Sequence, residues 1–170
     1  MSQDTRPSRA PGSTLVELLI VVAILGILGA MVVPRFSDAA RNSRETVLKD
    51  SLRTMRNQVR LYTAHHGQRP PGYPPGQSSG ATETLFRNQM TRKTNALGQT
   101  GNGEDFGLGP YLRSIPENPV NGLRSVRIVN GPTFPDDPAG SHGWVYQPST
   151  LRLAADSVGS DESGVRYFDY

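Results

Sequence analysis

The chain has no cysteine among its 170 residues, so it has neither a disulfide to staple a small domain nor a thiol nucleophile. No glycine-rich loop opens onto a helix in the manner of a phosphate-binding motif, which removes that route to nucleotide chemistry. Lysine occurs only at Lys49 and Lys93, and the mild net charge of +3 is carried almost wholly by arginine. The pair Asp136-Asp137 lies between prolines with no base beside it. His65-His66 suit the exposed carbonyls at the end of a helix, and the third histidine, His142, is far along the chain. Catalysis is therefore not expected. No internal repeat is evident, and 18 glycines with 14 prolines commit much of the chain to loop.

Charge is also missing, almost completely, from Leu15 to Val33. As a helix this run spans roughly 28 Å, close to the ~30 Å of a bilayer core. Inside a membrane every backbone group must be satisfied within the segment, which forces helix. The run carries one carboxylate, Glu17, and no Lys, Arg or His. An ionisable group in such a place reads as a functional site whose partner must come from elsewhere. Before the run stands a short polar stretch with Arg6 and Arg9, ending in Pro11-Gly12. A secretory signal would put its small-residue cleavage site after the apolar stretch; here the small, flexible site lies before it. A cut between Gly12 and Ser13 creates an α-amine four residues ahead of Glu17, which supplies the missing cation. The alternative is a plain single-pass anchor, and Arg35, Arg41 and Arg44 beyond the run leave its orientation open on charge alone.

The sequence Gly12-Ser13-Thr14-Leu15-Val16-Glu17-Leu18-Leu19-Ile20-Val21-Val22-Ala23-Ile24-Leu25-Gly26-Ile27-Leu28, followed by Pro34, resembles the class III leader and helix of type IV pilins and pseudopilins. That resemblance implies cleavage after Gly12 by a prepilin peptidase, N-methylation of the new terminus and assembly into a homo-oligomeric helical filament. It also implies that Glu17 pairs with a neighbouring subunit's terminal amine. One position departs from the pattern: the first mature residue is Ser13, where the family usually has Phe. The resemblance further implies a bacterial inner-membrane, single-pass protein whose C-terminal domain lies in the periplasm. Its partners would be the other pseudopilins and an inner-membrane platform driven by a cytoplasmic ATPase.

After Pro34 the pattern becomes amphipathic. Leu48, Leu52, Met55, Val59 and Tyr62 recur at intervals of four and three, one stripe of a helix. The helix should continue, kinked at Pro34, to about His65 and end at Gly67, with Pro70 and Pro71 beyond. Residues 67–109 are mostly turn and loop, with a short helix expected within Thr82–Asn95. Leu112-Arg113-Ser114-Ile115-Pro116-Glu117-Asn118-Pro119 is similar to the run that leads into the sheet of the major pseudopilin of type II secretion. Strands are expected within Leu123–Val129 and in a hairpin of Gly143–Gln147 and Leu151–Ala154, with Val165–Phe168 as a last strand or a clasp.

The expected fold is α+β and pilin-like: a long N-terminal helix, membrane-spanning in its first half, packed on a small antiparallel sheet. The divisions are a leader at 1–12, a transmembrane and assembly helix at 13–33, its amphipathic continuation at 34–66 and a periplasmic globular region at 67–170. The oxygen-rich segment Leu153–Ser163 has two readings. One is an acidic solvated loop. The other, implied by the resemblance, is a calcium loop with Asp156 and Asp161 as the matched positions. The functional expectation is a structural pseudopilin of a type II secretion system that polymerises to drive protein export. The alternatives are a type IV pilin of a surface fibre for adhesion, motility or DNA uptake, and an anchored domain with no filament. The arginines from Arg41 to Arg60 read as a solvated helix face, so nucleic acid is not expected as a partner.

Overall fold

The computed structural model describes residues 13–170, with side chains at 15–29 and 39–170. The chain divides into two compact units, Met1–Asn42 and Ser43–Tyr170. Helix α1, Ser13–His65, has residues in both, and position 34 lies inside it; the expected kink at Pro34 rests on a side chain outside those described. In the second unit the stripe Leu48, Leu52, Met55, Val59 and Tyr62 is fully buried, each side chain contributing on the order of 1.5–3 kcal/mol. The helix stops as expected. Gly67 takes a left-handed φ of 62°, and the Gln68 amide donates to the Thr63 carbonyl at 2.9 Å, satisfying one of the last turn's free carbonyls.

Helix α2, Glu83–Thr91, is opened by Thr82, whose hydroxyl accepts from the Leu85 amide at 3.3 Å. It ends short of Asn95 because the Thr94 backbone bonds instead to Leu108, in both directions. Its buried side, Phe86, Gln89 and Met90, closes over the α1 stripe.

Three strands follow: β1 (Val126–Ile128), β2 (Trp144–Gln147) and β3 (Arg152–Ala155), in spatial order β1-β2-β3. The expected hairpin is β2–β3, in antiparallel register with Trp144 opposite Ala155 and Tyr146 opposite Leu153. The α+β pilin-like arrangement is present, with one correction to its sheet. β1 pairs parallel to β2, Val126 beside Trp144, so the sheet is mixed rather than wholly antiparallel. The connection through residues 129–143 permits this, since parallel neighbours need a crossover of about a dozen residues or more.

Alternation sorts the hairpin as its sequence suggests. Trp144, Tyr146, Leu153 and Ala155 join the cluster of the α1 stripe. Val145 and Ala154 face the other way and are buried with Phe134 and Phe168. That second layer explains why all four β2 residues are buried. The 129–143 excursion and the short helical turn at Tyr167–Asp169 roof the face that a three-stranded sheet would otherwise leave wet. At Gly143 the backbone passes so close to Leu123 that an added Cβ would stand 2.2 Å from its carbonyl oxygen.

Candidate assembly site

From Leu15 to Leu28, Glu17 apart, the helix carries no charged or polar side chain. The large side chains from Leu15 to Leu28 are all half exposed or more, from 50% at Val21 to 73% at Leu15. A helix greasy all round needs apolar cover, from lipid or from other helices. Gly26 and Gly29 present bare backbone with nothing within 4 Å of where a Cβ would sit, so another helix can approach closely there. Among the described residues no helix is long and apolar enough to cross a membrane. Side chains of the run are described as far as Gly29, and its remainder to Val33 lies outside them.

Glu17 itself is exposed on this surface. Ser13 is already helical, so a cut before it would leave the first turn's amide protons without partners at the positive end of the helix dipole. The new amine would add a full charge there. Such a terminus would suit a carboxylate. Gly12 lies outside the described residues, as do the side chains of Ser13 and Pro34.

The second pair of candidate residues, Asp156 and Asp161, accepts main-chain hydrogen bonds that shape two loops. Asp156 is fully buried. Its Oδ1 accepts from the Ala139 and Gly140 amides at 2.6 and 3.2 Å, and its Oδ2 from the His142 amide at 3.1 Å. Asp161 accepts from the Ser163 and Val165 amides on Oδ1, at 2.9 and 3.0 Å, and from the Tyr170 hydroxyl on Oδ2 at 2.8 Å. The Lys49 ammonium stands 3.8 Å from the same Oδ2 and 4.3 Å from the centre of the Tyr170 ring. The Tyr170 hydroxyl, above all, holds the Asp161 carboxyl below its ordinary range, and burial foremost pushes the Tyr170 phenol up. Calcium takes six to eight oxygens. Here the carboxylate oxygens already have donors, a lysine fills the cationic position, and among the described residues no three His, Cys, Asp or Glu gather.

Other organising residues were not assigned a role from the sequence, although Asn118 lies in the Leu112–Pro119 run noted there. Gln89, almost fully buried, accepts from the Gly72 amide at 2.6 Å and donates to the Tyr73 and Gly98 carbonyls at 2.9 and 3.1 Å, which stitches the proline-rich loop to α2. Asn118, fully buried, donates to the Gly143 carbonyl and the Ser157 hydroxyl and accepts from the Val120 amide. Glu45 accepts from the Tyr167 hydroxyl at 3.0 Å. Its signal was available, since position 45 continues the Leu48–Leu52 stripe one turn back.

Comparison with known proteins bears on this geometry. The model of the prokaryotic N-terminal methylation motif matches residues 8–33, which include Gly12 and Glu17. The chain is 35% identical over 101 residues to the type IV narrow pilus major component PilA5 of Thermus thermophilus, covering 54% of this chain and 84% of that protein. The chain belongs to the type IV pilin family. This pilin is also 33% identical over 72 residues to the type IV major pilin PilE1 of Neisseria gonorrhoeae, covering 34% of that protein. It is 43% identical over 56 residues to the type IV major pilin PilA of Myxococcus xanthus, covering 23% of it. No solved structure matches. All three relatives are pilus subunits by name, and a filament subunit is what this pilin's family assignment supports.

Proposed function

We propose that this pilin is held in the inner membrane by its apolar helix, is cut after Gly12 by a prepilin peptidase, and polymerises into a filament through Glu17. The observation that carries the reading is Glu17 alone on an apolar helix surface, within the matched methylation motif. As a subunit docks, the Ser13 amine of one chain meets the Glu17 carboxylate of another in a low-dielectric setting. Removing one partner of a buried ion pair costs ~3–5 kcal/mol. Glu17→Ala should therefore leave processing intact and reduce the filament to a small fraction of its normal amount. Mutant filaments as abundant as wild type would overturn the pairing.

Within that class we place the chain in a type II secretion system, as a pseudopilin whose growth is driven by a cytoplasmic ATPase and pushes exported proteins outward. Support comes from the Leu112–Pro119 run. Its Asn118 holds the start of β2 through the Gly143 carbonyl, and its Pro116 carbonyl accepts from the Trp144 indole at 2.9 Å. A second reading, the subunit of a surface pilus, draws support from the relatives' names. Deleting the gene separates them: exported proteins accumulate in the periplasm under the first, and surface fibres vanish with secretion intact under the second.

A further inference from the structure

Beside its buried stripe, α1 carries a second one made of cations. Lys49, Arg53, Arg56 and Arg60 recur at intervals of four, three and four, so they share one face of the helix. Arg152 at the start of β3 joins Arg56 and Arg60 in lining a cleft of about 730 Å³, with Phe168, Asp169 and Tyr170 on its other wall. Lys49, Arg53 and Arg56 line a smaller recess of about 220 Å³ against Tyr170.

Among the described residues, the charges in this cleft are only partly answered. Arg56 donates to the Leu153 carbonyl at 3.0 and 2.7 Å and also to the main-chain oxygen of Tyr170, the last residue of the sequence, where a terminal carboxylate would answer its charge. Burial, then Arg60 and Arg152, push its guanidinium below its ordinary value. Arg152 lies 4.2 Å over the Phe134 ring. Asp169, the carboxylate in the wall, is already gripped by Arg166 at 2.7 Å. Among the described residues, neither Arg53 nor Arg60 meets a carboxylate.

The opposite charge stands elsewhere in the same unit. The cleft is at the β3 edge of the sheet, whereas α2 contacts β1 at the other edge. The chain leaving α2 makes a glycine-rich excursion, tied at its base by the Gly101 amide to the Lys93 carbonyl and by Thr94 to Leu108. The Phe106 ring lies so close over Gly101 that a Cβ there would stand 2.6–2.9 Å from it, which fixes the loop. Its tip presents Glu104 and Asp105, both exposed and meeting no cation among the described residues; Arg92 and Lys93 stand at its base.

We infer that the arginine cleft of one subunit receives the Glu104-Asp105 tip of a second copy. The inference rests on the filament reading. Two different patches at two edges make a head-to-tail contact, which propagates into an open helical array when its rotation does not close. Opposite charge at such a contact sets register and partner choice.

The absence of native cysteine supplies the test. Filaments of full-length chain carrying Arg60→Cys together with Glu104→Cys, treated with a short bis-maleimide, should give a ladder of cross-linked multimers, with neither single variant doing so. In parallel, Arg60→Glu with Arg152→Glu, or Glu104→Arg with Asp105→Arg, should each cut filament yield about tenfold or more through like-charge contact, and the four changes together should restore it. Filaments of wild type and of the double-cysteine chain, with no ladder from the latter and no restoration by the four changes, would overturn the contact while leaving the filament reading standing. Failure of the wild-type chain to polymerise at all would overturn both. Retention of duplex DNA by the wild-type domain, lost in Arg60→Glu with Arg152→Glu while no ladder forms, would give the cleft to a polyanion instead.

Discussion

Tyr146 ends in a hydroxyl that finds no hydrogen-bond partner among the described residues, although its ring is fully buried. Burial pushes that phenol well above its ordinary value. A stranded polar group costs ~1–3 kcal/mol, so Tyr146→Phe should leave stability unchanged or raise it by about 1 kcal/mol in urea unfolding; a clear loss would reveal a partner for the hydroxyl. His66 shows the opposite economy. Its ring stacks on Tyr62 at 3.8 Å, bonds through Nδ1 to the Tyr62 carbonyl at 2.7 Å and meets the Thr94 hydroxyl through Nε2 at 3.0 Å. Burial foremost, against backbone hydrogen bonds that favour the charged form, holds its pKa below the ordinary value. The unfolded chain therefore takes up this proton first, and stability present above about pH 6.5 is lost as the pH falls. Melting temperature should drop more between pH 7.5 and 5 for wild type than for His66→Gln, and equal drops would remove His66 from the acid response.

At the scale of elements, the C-terminal segment is clasped to α1 by side chains one to two turns apart. Glu45 takes the Tyr167 hydroxyl, Lys49 sits against Asp161 and Tyr170, and Arg56 binds the Leu153 carbonyl. This clasp ties the C-terminal segment to the helix without a disulfide. Lys49→Met should lower the melting temperature, while calcium or a chelator leaves wild type unchanged; a fall on chelation would return the loop to a cation. Gly143→Ala should cost about 1–3 kcal/mol, because a methyl there must displace the Leu123 backbone. The long helix, its Gly67 stop and the β2–β3 hairpin were legible because each has a local signal: a 3.6-residue stripe, a left-handed glycine, an alternation broken by Pro148-Ser149-Thr150. The parallel β1 was not. Nothing within Leu123–Val129 encodes the direction of its neighbour, which is set by how the 129–143 excursion returns. The clasp escaped for the same reason, since Lys49 and Asp161 are far apart in sequence and meet only once the sheet has formed.

For the whole molecule, the Glu17 carboxylate on an apolar helix and the Arg53 and Arg60 cations on the domain share a logic: among the described residues, none of these charges meets an opposite one. The candidate assembly site was legible as residue types and spacing, Gly12, Ser13 and Glu17, because membrane physics makes a carboxylate in an apolar run conspicuous. The arginine cleft was not, because its members come from α1, β3 and the chain's last residues. In the proposed assembly both are completed by further copies of the chain, and the first depends on a single chemical event. The measurement that tests it most directly is mass spectrometry of the N-terminus on protein taken from its native membrane. The account predicts a chain that begins at N-methylated Ser13, with the amine that Glu17 requires. An intact Met1 terminus would leave Glu17 without that amine and would contradict the proposed assembly.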